Sequence, residues 1–109
     1  MSWNVEFLEE ATRDMKRLDH SAQIQVFKGI QKVARNPVSI YEGGYGKPLG
    51  NHNGNDLSGL FKIKFHDLGL RVVYKTEMAD SRMKIIVVSA RSDDLVYQEA
   101  ARRRSKHDL

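Results

Sequence analysis

The sequence has 109 residues and contains no cysteine, and this absence excludes two ways of stabilising a small protein. Without cysteine the chain can form neither a disulfide framework nor a cysteine-ligated zinc site. A domain of this length buries roughly two-thirds of the surface of its unfolded chain, which is enough for a core without such crosslinks. The absence of cysteine is compatible with a reducing compartment.

The sequence also lacks the long apolar segments of membrane and secreted proteins. No apolar run approaches the roughly 20 residues of a membrane-spanning helix. The first ten residues, MSWNVEFLEE, do not combine a basic segment with an apolar one, which is the pattern of a secretory signal peptide. We therefore expect one domain over residues 1–109 and a location in the cytoplasm.

Acidic and basic residues are unevenly distributed along the chain. The formal net charge is +4, from 18 lysines and arginines against 14 acidic residues. Residues 6–19 carry five acids and three bases, whereas residues 102–106, RRRSK, carry four bases and no acid. One end of the domain is therefore expected to be locally positive, which favours a polyanionic partner.

The N-terminal third begins with a strand pattern and changes to a helical one. Residues 3–7 alternate apolar and polar, which predicts a short half-buried strand. Apolar residues at helical spacing predict a helix over residues 8–18. A second helix is expected to begin at an N-cap, Asp19 or Ser21, and to end at residue 36, because the residue before a proline avoids the helical conformation. Its apolar side is expected to consist of Ile24, Phe27, Ile30, Val33 and Ala34.

The remaining chain is rich in glycine and then in strand patterns. Residues 41–59 hold six of the eight glycines and are expected to form a loop. Three strands are predicted at about residues 57–66, 69–77 and 82–90, followed by a final helix that Ser92 caps. The predicted order is an N-terminal strand, a helical hairpin, a three-stranded meander and a C-terminal helix. This order indicates an α+β domain with a small antiparallel sheet.

One face of the predicted meander is expected to be cationic. In FKIKF, residues 61–65, apolar residues alternate with two lysines, and side chains on a strand alternate between the faces of the sheet. The side chains that we expect to converge on this face are Lys62, Lys64, His66, Arg71, Arg91 and Tyr97.

Each of these residues also has a simpler interpretation. Lysines at these positions are compatible with a solvated strand face, Arg71 and Arg91 with surface ion pairs, and Tyr97 with helix packing. A histidine at a turn, such as His66, is more often solvated, and the same holds for His52 in the glycine-rich loop. No spacing of His, Asp and Glu predicts a metal site. The GGYG segment, residues 43–46, is not a phosphate-binding fingerprint, because no strand–loop–helix context follows it.

Taken together, the cations suit one kind of chemistry. RNA can be cleaved without a metal when its own 2′-hydroxyl attacks the neighbouring phosphorus. This reaction needs a proton acceptor, cations for the developing negative charge and a proton donor for the leaving 5′-oxygen. A lysine acts as the base only if its pKa falls from about 10.4 towards neutrality, and neighbouring cations lower it.

The sequence resembles the RelE/ParE superfamily of toxins from bacterial type II toxin–antitoxin systems. The segments that carry the resemblance are, in chain order, KPLGN from residue 47, LSGLFKIKF from residue 57, LRVVY from residue 70 and VVSARSDDLVYQEAARR from residue 87. Two features depart from the family pattern. The segment NHNGND, residues 51–56, resembles an insertion relative to shorter members of the family. The segment RSDD, residues 91–94, has acids where a second basic residue is common in the family.

The resemblance implies a small curved antiparallel sheet packed against helices. It also implies a ribosome-dependent endoribonuclease that cuts messenger RNA in the ribosomal A site. The catalytic residues would be Lys62, Lys64, Arg71, Arg91 and Tyr97. The arginines would bind phosphate, the lysines would transfer protons or stabilise charge, and the tyrosine would stack on a base or position the backbone. The residues expected to contact RNA outside this set are Arg102, Arg103, Arg104, Lys106 and His66.

The implied partners are a cognate antitoxin, messenger RNA and the ribosome, with 16S rRNA near the A site; no cofactor is expected. The antitoxin is expected to fill the basic groove, to displace the final helix, or to use an uncovered apolar area of the sheet that includes Val73 and either Ile86 or Val88. Two other functions stay open. One is a ParE-like toxin that inhibits DNA gyrase by binding, and the other is a catalytically silent RNA-binding module.

Overall fold

Residues 2–52 and 54–109, apart from the side chains of residues 51 and 52, are described by a computed structural model, in which they form five strands and three α-helices. These elements are, in chain order, β1 (Asn4–Phe7), α1 (Glu9–Lys16), α2 (His20–Val33), β2 (Lys47–His52), β3 (Asn55–Phe65), β4 (Leu70–Glu77), β5 (Arg82–Ser89) and α3 (Asp93–Lys106). The strands form a sheet in the order β1-β5-β4-β3-β2. The predicted α+β class is confirmed.

The strand β2 was not expected, because it lies in the segment predicted to be a loop. It pairs antiparallel with β3, which itself begins at Asn55. The prediction of a loop over residues 41–59 is therefore wrong for its second half. Pro48 and Gly50 conceal the strand in the sequence, and an edge strand tolerates both because one of its sides makes no hydrogen bonds to a neighbour.

The sheet is mixed rather than wholly antiparallel. At the opposite edge from β2, β1 lies parallel to β5, with Phe7 opposite Ile85. The chain then crosses from one edge of the sheet to the other through α1 and α2. This is the crossover that the predicted helical hairpin requires.

The buried side of α2 agrees with the predicted one only in part. Ile30, Val33 and Ala34 are buried as predicted, but Ile24 and Phe27 remain 41% and 45% exposed, and Val26 is buried instead. We attribute the difference to Gly29, which lets α2 approach the sheet closely. As a helical residue it costs about 1 kcal/mol of stability relative to alanine. A Cβ atom at Gly29 would lie 2.4 Å from the ring of Phe65, so α2 approaches β3 through the side of the helix that carries no side chain at this point.

A buried ion pair closes one edge of the sheet. Because β1 pairs with β5 only as far as Ile85, the next residues of β5 have no neighbouring strand on that side. Asp14 of α1 accepts a hydrogen bond from the backbone N–H of Val88 at 3.0 Å, and Arg103 of α3 donates to the carbonyl of Ile86 at 2.8 Å. Arg103 also donates to Asp14 at 2.7 Å. This Asp14–Arg103 pair therefore connects α1, α3 and the sheet edge.

We expect Arg103→Ala to lower the free energy of unfolding by about 3–5 kcal/mol, because it leaves the Asp14 carboxylate buried without its partner. Urea unfolding followed by circular dichroism measures this loss. The matched control is Arg102→Ala, since Arg102 is the exposed neighbour that pairs with Glu99 at 2.7 Å. The control should lose little stability, and equal losses for the two variants would contradict the structural role of Arg103.

Candidate functional site

The cationic face predicted for the β3–β4 hairpin is present, and the strand register determines its layout. Lys64 lies opposite Arg71, which in turn lies opposite Ser89 of β5. Lys62, two residues before Lys64, lies opposite Lys47 of β2. Residues two apart on a strand are separated by roughly 7 Å. We call Lys47, Lys62, Lys64 and Arg71 the cationic cluster.

The cationic cluster opposes folding. Like charges directly opposite each other on antiparallel strands destabilise a sheet, and both Lys47–Lys62 and Lys64–Arg71 are pairs of this kind. Packing does not explain two such pairs side by side. Local arrangements that cost stability are typical of functional sites, which makes the cationic cluster the main candidate site in the described part of the chain.

An acidic residue at the start of α3 offsets part of this charge. The carboxylate of Asp93 forms an ion pair with the Nε atom of Arg71, and the two side chains are 36% and 26% exposed. Asp93 lies in the first turn of α3, where the positive end of the helix also favours an acid. The sequence allowed two interpretations of Arg71, as part of a cationic site or of a surface ion pair. Both apply, since Arg71 adjoins the lysines and also forms a partly exposed ion pair.

The pKa of Lys62 responds to these surroundings. Burial lowers it below its ordinary value of 10.5, and the positive charge of Lys64 lowers it further. Lys47 and Arg71 act in the same direction, whereas Asp93 raises the pKa. A lower pKa increases the fraction of the neutral amine, which is the form that accepts a proton.

Tyr97 lies beside the Arg71–Asp93 ion pair, but its ring is buried. It follows Asp93 by one turn of α3 and is only 2% exposed. Burial raises the pKa of Tyr97, the charge of Asp93 raises it further and the charge of Arg71 lowers it. In this conformation the ring is not accessible to a base, so the stacking role that the resemblance implies requires α3 to move.

Arg91 and His66 lie on different sides of the cationic cluster. Arg91 is exposed and lines the groove between α1 and α3 together with Arg13 and Arg17. Its backbone N–H donates to the hydroxyl oxygen of Ser89 at 3.1 Å. Arg91 is two residues beyond Ser89, which lies opposite Arg71, but it does not line the surface pockets that Lys62 and Lys64 line.

His66 is exposed at the end of β3 and lines a shallow recess with Lys64 and Arg71. This position at the rim of the cationic cluster agrees with the predicted side of the strand. The side chain of His52, which the sequence predicts to be solvated, lies outside the described residues.

The basic end of α3 is largely occupied by contacts within the protein. Arg104 donates to the carbonyl oxygen of Asp56 at 3.3 Å, and Lys106 pairs with Glu10 at 3.1 Å. Arg103 is 7% exposed, so the expectation that it contacts RNA is corrected here. The main partner of Arg103 is Asp14, which is distant in the sequence. No local sequence pattern distinguishes Arg103 from its less buried neighbours, Arg102 and Arg104.

Two further expectations require comment. Lys47 belongs to the cationic cluster but was missed, because its strand has the composition of a loop. The apolar area expected to be uncovered is not free, since Val73, Ile86 and Val88 are all at most 3% exposed. Val73 and Val88 lie on opposite faces of the sheet, because Val73 pairs with Val87 and Val88 pairs with Val72. α3 packs against β3, β4 and β5, and α1 also packs against β5, so helices cover this part of the sheet.

Within the described ranges, no group of three or more His, Asp and Glu side chains is arranged to hold a metal ion. None of the three helices in these ranges is long and apolar enough to cross a membrane.

Several solved structures have a similar fold. A mutant of the E. coli toxin RelE in the free state is 24% identical, with a TM-score of 0.73, over 94% of this chain and 98% of that one. The isolated E. coli RelE toxin is 25% identical, with a TM-score of 0.65, over the same shares of the two chains. The toxin–antitoxin complex RelBE2 from Mycobacterium tuberculosis is 24% identical, with a TM-score of 0.65, over 85% of this chain and 95% of that one.

Neither a protein-family model nor a curated protein matches the sequence. The chain has the fold of the RelE toxins, and the resemblance stated from its motifs is confirmed at the level of the fold.

We expect Lys62 to titrate below the ordinary pKa of a lysine and to respond in opposite directions to its two neighbours. Asp93→Asn removes a negative charge and should lower the pKa of Lys62 further, whereas Lys64→Ala removes a positive charge and should raise it. NMR titration of carbon-13-methylated lysines measures both shifts. Shifts of the same sign in the two variants would contradict the electrostatic account.

Proposed function

We propose that this protein is the toxin of a type II toxin–antitoxin system and that it cleaves messenger RNA in the ribosomal A site. The observation that carries the proposal is the cationic cluster, in which two pairs of like charges meet. Burial and then the neighbouring positive charges lower the pKa of Lys62 there. The fold supports it, since the structures with this fold include RelE toxins. We propose further that residues 1–109 act as a single domain in the cytoplasm.

The proposed reaction uses the hydroxyl group of the substrate. The 2′-oxygen attacks the adjacent phosphorus, and its proton passes to the neutral amine of Lys62. Lys64 and Arg71 stabilise the negative charge that develops on the phosphorane oxygens. The bond from phosphorus to the 5′-oxygen then breaks, and this oxygen takes a proton from a protonated lysine of the cluster. The products are a 2′,3′-cyclic phosphate and a 5′-hydroxyl.

The carboxylate of Asp93 is bound to Arg71 in this structure, and a phosphate group of RNA would replace it there. A phosphate group is chemically similar to a carboxylate as a partner for guanidinium. RNA bound at Arg71 would therefore compete with Asp93, and the partly exposed position of both side chains leaves room for the exchange. Arg91 would contact the same RNA strand from the groove between α1 and α3.

A cognate antitoxin is the proposed protein partner. It would either present acidic side chains to the cationic cluster, as Asp93 already does, or displace α3. Displacement would uncover Val73 and the ring of Tyr97, which are buried while α3 is in place. This chain has a fold similar to that of a chain in RelBE2, which is a toxin–antitoxin complex. That similarity supports an antitoxin as the partner.

The first prediction from this proposal concerns the ribosome. The cationic cluster contains no carboxylate or imidazole that could serve as the base, which a ribonuclease acting on free RNA usually supplies. We therefore expect ribosomal RNA to help orient the message for attack. We expect rapid cleavage of message bound to a ribosome and negligible cleavage of the same RNA alone. Primer extension on both samples measures this difference. Rapid cleavage of free RNA would contradict it, and gyrase-dependent DNA breaks without RNA cleavage would support the ParE-like alternative.

The second prediction concerns the site residues. Arg71→Ala should slow cleavage of ribosome-bound message by about a hundredfold or more, since it removes a donor to the transition state. Arg91→Ala should also slow cleavage, since it removes the contact with RNA proposed for the neighbouring groove. Lys62→Ala and Lys64→Ala should also slow it while preserving the fold. Single-turnover cleavage rates measure these effects. Lys16→Ala, at an exposed lysine of α1, is the control and should cleave normally. Normal rates for all four site variants would refute the assignment.

A further inference from the structure

The GGYG segment holds an exposed tyrosine beside the cationic cluster. Tyr45 is 48% exposed. It lines one shallow cleft together with four lysines, which are Lys32, Lys47, Lys62 and Lys64. The proposed cleavage chemistry does not use this side chain, and the sequence motif has no other role in the site.

The backbone that carries Tyr45 is tightly packed on both sides of it. A Cβ atom at Gly44 would lie 2.2 Å from the carbonyl oxygen of Val38, and one at Gly46 would approach its neighbours to 2.7 Å. The N–H of Tyr45 donates to the carbonyl of Asn36 at 2.8 Å, and the N–H of Gly46 donates to Val38 at 2.9 Å. The two glycines therefore let the loop pack without side chains, and they fix the point from which the tyrosine projects.

An exposed aromatic ring next to a row of cations is the combination that single-stranded RNA requires. Bases stack on aromatic side chains, while lysines neutralise the phosphates of the same strand. Lys62 and Lys64 are separated by roughly 7 Å along β3, which is close to the distance between successive phosphates of an extended strand. Tyr97 does not offer a ring for stacking in this conformation, because it is buried.

We infer that Tyr45 is a base-stacking residue that positions single-stranded RNA along Lys47, Lys62 and Lys64. The inference rests on the proposed function, because the strand in question is the message to be cleaved. It adds a residue that contacts a base, whereas the cationic cluster contacts the backbone. Phe65 lines the same cleft, but its ring packs against α2 at Gly29.

The test is the affinity for a short 2′-O-methyl oligoribonucleotide, which cannot be cleaved, measured by fluorescence anisotropy at low salt. Tyr45→Ala should weaken binding about tenfold, and Tyr45→Phe should bind as the wild type does, because the ring is retained. Tyr41→Ala is the matched control. Tyr41 belongs to the same loop and is 86% exposed, but it does not line the cleft.

A second oligonucleotide of equal length, with abasic sugars, separates stacking from charge. Lys62→Ala should weaken binding of both oligonucleotides, whereas Tyr45→Ala should weaken binding only of the one with bases. Normal binding by Tyr45→Ala, a loss in Tyr45→Phe as large as in Tyr45→Ala, or no binding by the wild type would each overturn the inference. Cleavage of ribosome-bound message by the wild type is measured separately, so failure here is distinguishable from failure of the proposed function.

Discussion

The Asp14–Arg103 pair is the interaction on which the arrangement of the candidate site depends. It satisfies the backbone groups of β5 at the point where β1 ends, and in doing so it attaches both α1 and α3 to the sheet. The opposite end of α3 carries Asp93 and Tyr97 to Arg71. One helix, α3, therefore contacts Asp14 through Arg103, and it contacts Arg71 of the cationic cluster through Asp93.

Two arginine–aspartate pairs therefore hold α3, and their burial separates their roles. Asp14 and Arg103 are at most 7% exposed, so neither finds an alternative partner in water, and the pair is structural. Asp93 and Arg71 are 36% and 26% exposed, so parts of both side chains reach solvent, although the paired atoms, Arg71 Nε and Asp93 Oδ1, are buried. The same chemistry thus serves two purposes because the surroundings differ. Asp93 offsets part of the repulsion within the cationic cluster, since it pairs with Arg71 and its charge also raises the pKa of Lys62.

The features that the sequence predicted well are those encoded locally. The alternation in FKIKF is sufficient to locate Lys62 and Lys64 on one face, and their approach to Arg71 follows from the short turn between two strands. The failures come from partners that are distant in the chain. Nothing near Arg103 indicates that Asp14, 89 residues earlier, will bury it. Lys47 was missed because β2 becomes a strand through its pairing with β3, against its own proline and glycine. The side of α2 that faces the sheet is marked by Gly29, which carries no hydrophobic signal.

These energetics also distinguish the two modes in which the proposed antitoxin would bind this protein. Displacing α3 separates Arg103 from Asp14 and from the carbonyl of Ile86, and it exposes side chains such as Val73 to water. Breaking a buried pair by removing one partner costs about 3–5 kcal/mol. A displacing partner therefore has to compensate for the lost hydrogen bonds of Arg103 and to bring its own apolar side chains to the sheet, while Arg17 of α1 stays within 3.8 Å of Asp14. A partner that fills the cationic cluster meets no such requirement, since it only has to repeat, at Lys62 and Lys64, the contact that Asp93 makes with Arg71.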